Sequence, residues 1–493
     1  MAIDSLPEST PSTATNKPPK PKVGMVTMFR LGLFQMGLGI MSLLTLGVIN
    51  RVMIDELRVP ALMATGAIAM HQFVSPSRVW FGQLSDGKPI WGLHRSVYVW
   101  IGAALFTTTS FLAMQVTWQL GTSIQNYGMT GISYVWAALL AVVFALYGLA
   151  LSASSTPFAA LLFDVSDEDD RSKLISIVWS MLMVGIVVGA IISSKILNQQ
   201  EVGEIDPVSA NLPTPGSMVD ISTLQAAINP LFIMVPTMVF LLCMVATWGV
   251  EKRFSRYSDR STVADREDQI TLGRALHILT ANRQTGWFFT FLLIMSISLF
   301  MQDAVLEPYG GEVFGMSISE TARLNAFFGV GTLVGIASTG FLVVPRIGKK
   351  NTVRLGCVGV AIALVLFIMA GFTTNPEMLK GSLLFFGLFS GILTAGAISL
   401  MLDLTAAETA GTFIGAWGLA QAMARGLATV LGGAFLDLGR FIFEVPVLAY
   451  GTVFATQAVG MICAISLLSR VNVREFQDST KKAISTILES ELD

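Results

Sequence analysis

Apolar runs recur along this chain, twelve in all, each near the roughly 20 residues a helix needs to cross a bilayer. They are Met28–Asn50, Ala61–Phe81, Ser96–Trp118, Ile132–Leu161, Leu174–Ile196 and Ile228–Val250, then Thr285–Leu306, Leu324–Val344, Val353–Phe372, Lys380–Leu402, Gly411–Phe435 and Val447–Leu468. Hydrocarbon offers no partner to a backbone N–H or C=O, so such runs cross as helices. Composition agrees: 53% of the 493 residues are apolar and 13% are charged, against about 25% charged in soluble domains. The chain therefore reads as an all-α polytopic membrane protein with 12 transmembrane helices. Ordinary soluble domains, a disordered chain and a disulfide scaffold are excluded. A net charge of −2 gives no reason to expect nucleic acid. Cys243, Cys357 and Cys463 all lie in apolar runs without a CxxC spacing and read as small fillers.

Charge sets the expected orientation. With both termini in the cytosol, 24 Lys and Arg fall on the cytosolic side and six on the other, as the positive-inside rule requires. The expected parts are a disordered cytosolic tail (1–27), a six-helix bundle (28–250), a charged cytosolic loop (251–284), a second six-helix bundle (285–468) and a cytosolic tail (469–493). Gly185 and Gly189, Gly331 and Gly335, and Gly387 and Gly391 have the spacing of close helix packing.

An internal repeat supports two related halves. The 2–3 loop carries Gly82, Leu84, Asp86, Gly87 and Lys88, then Gly92, His94 and Arg95. The 8–9 loop carries Gly340, Leu342, Arg346, Gly348, Lys349 and Lys350 at the matching place, with Val344 where the Asp would stand. Asp86 can satisfy free N–H groups at a neighbouring helix start, and Lys88 or Arg95 can pair with it. Such a cluster is either a conformational latch or a tight solvated turn. At this position it resembles the loop motif of the major facilitator superfamily.

Ionisable and amide groups inside apolar runs are few, and each is a candidate site residue because burial in lipid is expensive. Those singled out are Gln35 in run 1, His71 and Gln72 in run 2 before Pro76, Gln302, Asp303 and Glu307 at the end of run 7, and Gln421 and Arg425 in run 11. His71 is a candidate pigment ligand or a hydrogen-bonded helix histidine. Asp303 and Glu307 are four apart, so they are expected on one helix face, with Pro308 ending that helix. Arg425 sits mid-run and calls for a partner; Asp303 is nearest in depth. The first six runs contain no Asp or Glu. No HExxH, P-loop or Cys/His cluster occurs, so neither catalysis nor a bound metal is expected.

The stretches Arg30–Ile40, Leu46–Ile54, Val59–Ala61, Ser85–Pro89 and Gly92–Arg95 with Tyr98, and above all Met301–Ser317 with its Leu306-Glu307-Pro308-Tyr309-Gly310-Gly311-Glu312-Val313 core, resemble the PucC/LhaA family. This is the bacteriochlorophyll-delivery branch of the major facilitator superfamily. The resemblance covers nearly the whole chain. It departs at His94-Arg95, where many relatives have two arginines, and its looser fit to purple-bacterial members points to a cyanobacterial relative. It implies the major facilitator fold and a role in assembling light-harvesting or other chlorophyll–protein complexes. Chlorophyll or bacteriochlorophyll would be the cargo. Antenna or photosystem apoproteins and membrane lipid would be the partners. The location would be a thylakoid or a cytoplasmic or intracytoplasmic membrane of a phototrophic bacterium. The alternative is a small-molecule secondary transporter; the absence of an Asp or Glu from the first six apolar runs tilts against proton coupling. A scaffold acting through its outer faces is a third class.

Overall fold

The structure is a computed structural model and describes residues 21–166, 168–203, 221–255, 283–403 and 410–471. The expected tail 1–27 lies largely outside these residues, as do most of the loop 251–284 and the tail 469–493. Apart from one bridge between Ile90 and Leu93, the described elements are helices. The first half contains α1 (Met25–Glu56), α2 (Ala61–Phe73), α3 (Ser77–Gly87), α4 (Ser96–Tyr127), α5 (Gly131–Val165), α6 (Glu168–Gly203) and α7 (Ile221–Thr247). The second contains α8 (Arg283–Phe300), α9 (Leu306–Phe314), α10 (Ile318–Ser338), α11 (Lys349–Thr373), α12 (Pro376–Asp403), α13 (Ala410–Ile442) and α14 (Pro446–Arg470).

Among the described residues, ten helices are long and apolar enough to cross a membrane. The other two expected spans are helical but fail for identifiable reasons. Run 2 is broken between α2 and α3, where Val74–Pro76 forms a turn; Pro76 has no N–H to continue the ladder. Run 8 is α10, which opens with Ser, Glu, Thr and Arg and has a complete capping box between Ser317 and Glu320. Two of the boundaries that differ from expectation bring acids into the helices. Helix α1 extends past Asn50 through two π-helical stretches, Leu43–Val48 and Val52–Glu56, so it includes Asp55 and Glu56. Helix α5 runs on through Pro157 to Val165 and includes Asp164. The first half is therefore not free of carboxylates.

The helices pack as a repeated set. In the first half α1 lies against α6 and α7, α4 against α5 and α7, and α2 against α5. In the second half α8 lies against α13 and α14, α11 against α12 and α14, and α10 against α12. Each contact in one half has its counterpart in the other. Two seams join the halves, α2 with α13 and α6 with α10. Glycine makes the closest approach: a Cβ on Gly331 would lie 3.1 Å from the Cα of Gly387, and one on Gly391 3.0 Å from the Cα of Gly335. Backbones meet there, with dispersion and no side chain between them.

Candidate functional site

Between the halves lies a cavity of about 2350 Å³, well above the roughly 300–1,000 Å³ of pockets for drug-sized ligands. Its far end, away from the chain termini, is closed by bonds across the halves. Asn50 Nδ2 donates to the Ala304 carbonyl at 2.6 Å and Arg51 Nη2 to that of Met316 at 3.2 Å. Arg58 pairs with Glu312 across the halves at 3.0 Å, and Arg440, from the same half as Glu312, holds that carboxylate at 2.5 Å. Asp437 accepts from the backbone N–H of Ala61 and Leu62, so a side chain of α13 caps α2. Arg51 also pairs with Asp55 and Glu56. The cavity continues toward the opposite end between residues such as Arg78, Gly82 and Ile175 of one half and Gly286 and Ile398 of the other.

Gln35, His71, Gln72, Gln302, Asp303, Glu307, Gln421 and Arg425 all line this one cavity. Four separated stretches of sequence thus converge on one space. The His71 ring is buried; Nδ1 is 2.5 Å from the Ile68 carbonyl, and Nε2 is 2.8 Å from Nε2 of Gln72. Nδ1 therefore carries the proton and donates to Ile68, and the Nε2 lone pair accepts from Gln72. This is the hydrogen-bonded helix histidine. A metal-centred pigment would reach Nε2 only if Gln72 turned away.

The seventh run corrects the sequence reading. Asp303 and Glu307 do not share a continuous helix. Helix α8 ends at Phe300, a 3₁₀ turn spans Met301–Ala304, and α9 starts at Leu306. Pro308 lies in the first turn of α9, where its missing N–H costs nothing, so it helps begin a helix and does not end one. The break separates the carboxylates. Asp303 is exposed to the cavity and accepts from Gln302 Nε2 at 2.7 Å. Gln302 in turn accepts from Gln457 at 3.2 Å. Glu307 is buried and accepts from Asn325 Nδ2 at 2.8 Å through one oxygen. Its other oxygen has no partner among the described residues.

Arg425 also differs from expectation. It forms no ion pair with Asp303 among the described residues; its guanidinium sits over the Phe300 ring, 3.9 Å from the centroid. It is exposed to the cavity, so a face of an aromatic ring and the cavity take the place of a buried acid partner.

The 2–3 loop forms its own cluster outside the cavity wall, apart from Gly82, which lines it. Arg95, 3% exposed, reaches Asp86 at 2.5 Å, Asp164 at 2.9 Å and Ser85 Oγ at 2.6 Å. Burial works against its charge, but Asp164 and Asp86 outweigh it and raise the guanidinium pKa. The neighbouring helix start is capped by Glu251, where the sequence pointed to Asp86. Glu251 accepts from the backbone N–H of His94, Arg95 and Ser96 at 2.6–3.2 Å. Lys88 contributes its carbonyl, which accepts from Tyr98 at 2.8 Å. All these partners belong to the first half, so the cluster staples that half internally.

Glu251, Asn325 and Gln457 escaped the sequence reading. Glu251 looked like one charge among many in a linker. Gln457 is a lone amide in an apolar run and could have been singled out by the reasoning applied to Gln421.

Comparison with known proteins adds identity to this geometry. The family described as PUCC protein matches residues 48–476. A Rhodobacter capsulatus protein called bacteriochlorophyll synthase 44.5 kDa chain is 30% identical over 463 residues, covering 91% of this chain and 96% of that one. Protein PucC of Rhodobacter capsulatus is 29% identical over 460 residues, covering 90% and 92%. Among solved structures, a mutant of the nucleoside transporter NupG superposes with a TM-score of 0.65 at 14% identity, covering 90% of this chain and 99% of that one.

Proposed function

The chain belongs to the PucC protein family, and on that premise we propose that it is a membrane assembly factor that binds (bacterio)chlorophyll and passes it to apoproteins of light-harvesting or other chlorophyll–protein complexes. The observation that carries this reading is the cavity. It is large, walled mostly by apolar side chains, and fitted with a few polar groups at His71, Gln72, Asp303 and Arg425. A tetrapyrrole with a long hydrocarbon tail is a cargo of that size and polarity. The name carried by the 30%-identical relative is consistent with work on bacteriochlorophyll. We read this chain as a carrier without catalytic activity. Its termini and the open end of the cavity would face the cytosol, following the Lys and Arg distribution.

A second reading, secondary transport of a small molecule, draws on Asp303 and Glu307. Carboxylates within a membrane-spanning bundle are the usual carriers of coupling protons. Purification of the tagged protein in mild detergent separates the two. Co-purifying chlorophyll and antenna or photosystem polypeptides, with loss of pigment–protein complexes in a deletion strain, are the expected results. A pigment-free preparation from a host whose deletion strain has normal complexes would refute delivery. If His71 ligates pigment, His71→Leu removes bound chlorophyll and leaves a monodisperse protein.

A further inference from the structure

In the sequence Arg78 is one more basic residue at the edge of a loop. In the structure it lies on α3, just past the Val74–Pro76 turn, and lines the cavity. The break in run 2 turns this helix enough to bring a cytosolic-edge cation into the interior. Arg425, on α13 across the seam, faces the same space. Both arginines are exposed to the cavity. They are within electrostatic reach of each other and of the His71 ring.

The acids do not balance them locally. Asp303 is in range of Arg425 but already accepts from Gln302. Glu307 lies deeper, beside Asn325. Among the described residues Arg78 forms no ion pair with a carboxylate. The cavity lining thus carries guanidinium groups at Arg78 and Arg425 and carboxyl groups at Asp303 and Glu307, with no ion pair between them among the described residues. Two guanidinium groups lining one cavity inside a membrane bundle repel, and holding them there without an anion is costly. Guanidinium forks match carboxylate and phosphate oxygens in pairs.

We propose that Arg78 and Arg425 form a clamp for the oxyanion head of an amphiphile, a carboxylate or a phosphate, whose apolar body fills the rest of the cavity. This rests on the pigment reading for one source of such a ligand: a tetrapyrrole whose propionate is free, before esterification with its hydrocarbon tail. An anionic lipid headgroup offers the same chemistry.

The test uses the full chain in neutral detergent. Trp179 and Trp287 line the cavity and report occupancy by fluorescence quenching. Chlorophyllide a, with a free carboxylate, is titrated against its methyl ester, which has the same macrocycle without the charge. The clamp requires the acid to bind roughly 10- to 100-fold more tightly than the ester. Arg78→Gln and Arg425→Gln should each remove most of that preference, weakening the acid by a larger factor than the ester. Arg78→Lys and Arg425→Lys, which keep charge without the fork, should keep part of it. A variant counts only if it elutes as a monodisperse peak; the lysine variants keep the question open to an answer if a glutamine variant does not.

Competition by phosphatidylglycerol but not phosphatidylcholine supports the clamp and assigns it to lipid. Equal binding of acid and ester overturns the clamp while pigment binding stands. Binding of phosphatidylglycerol with no binding of either tetrapyrrole keeps the clamp and assigns it to lipid.

Discussion

Replacing Arg95 by Ala tests what the 2–3 loop is for. Its guanidinium is 3% exposed and satisfies Asp86, Asp164 and Ser85 at 2.5–2.9 Å. The side chains of Asp86 and Asp164 are 28% and 14% exposed, so solvent screens the first more than the second. Truncation leaves two carboxylates facing each other with no cation between them. Losing one partner of a buried pair costs about 3–5 kcal/mol. At about 2–4 °C per kcal/mol for a unit the size of one half, the melting temperature should fall by about 6–20 °C.

Two controls separate the pair from simple loss of volume. Arg95→Ala/Asp164→Ala should be less damaging than the sum of the single variants, with a coupling of about 0.5–3 kcal/mol. Arg95→Lys should fall between wild type and Arg95→Ala, because one ammonium cannot reach three acceptors held by a planar fork. The sign of the pH effect also follows. The raised guanidinium pKa means the contribution is present at neutral pH and lost on the alkaline side only far into alkali, while on the acid side it is lost once the carboxylate partners are protonated. Thermal denaturation in detergent, followed by intrinsic fluorescence, gives the shift. An Arg95→Ala protein that melts within about 1 °C of wild type, or strictly additive losses, would show that the network is a solvated turn.

Two further outcomes are expected at the seam and in the cavity. At the far end, Asn50→Ala should loosen closure more than Arg58→Ala: Asn50 is buried and donates across the halves to the Ala304 carbonyl at 2.6 Å, whereas the Arg58 side chain that pairs with Glu312 across the halves is 71% exposed, and an exposed pair contributes only about 0–1 kcal/mol. Spin labels on α1 and α9 would read this as a longer distance in Asn50→Ala, and equal distances in the two variants would contradict it. In the cavity, Arg425 should couple to Phe300 by about 0.5–2 kcal/mol and to Asp303 by less; a thermal-stability double-mutant cycle that ranks Asp303 first would refute the ring-face contact.

Much of the bundle was legible in the sequence because lipid leaves the backbone so few choices. Twelve apolar runs, the charge asymmetry and the duplicated loop were enough to expect two six-helix halves. The structural neighbours share that major facilitator architecture. The polar candidates were legible for the same reason: an amide or ion in an apolar run stands out against hydrocarbon. Their convergence on one cavity was not, because 390 residues separate Gln35 from Arg425 and only helix packing brings them together.

The misreadings share one cause. Periodicity assumes an unbroken helix, and the informative places are where helices break. Run 7 yields to a 3₁₀ turn, which separates Asp303 from Glu307 and makes Pro308 a starting residue. Run 2 yields at Pro76, which turns Arg78 inward. Glu251 reads as linker charge in the sequence, and the fold sets it against the N–H groups of His94, Arg95 and Ser96 at the start of α4. Which segments must cross the membrane could be read from the residues in order, since that depends on local polarity added up over one helix length. Which charged groups meet, which stay apart and which end of the cavity is closed depend on side chains distant in the chain, and those relations exist only once the helices have packed.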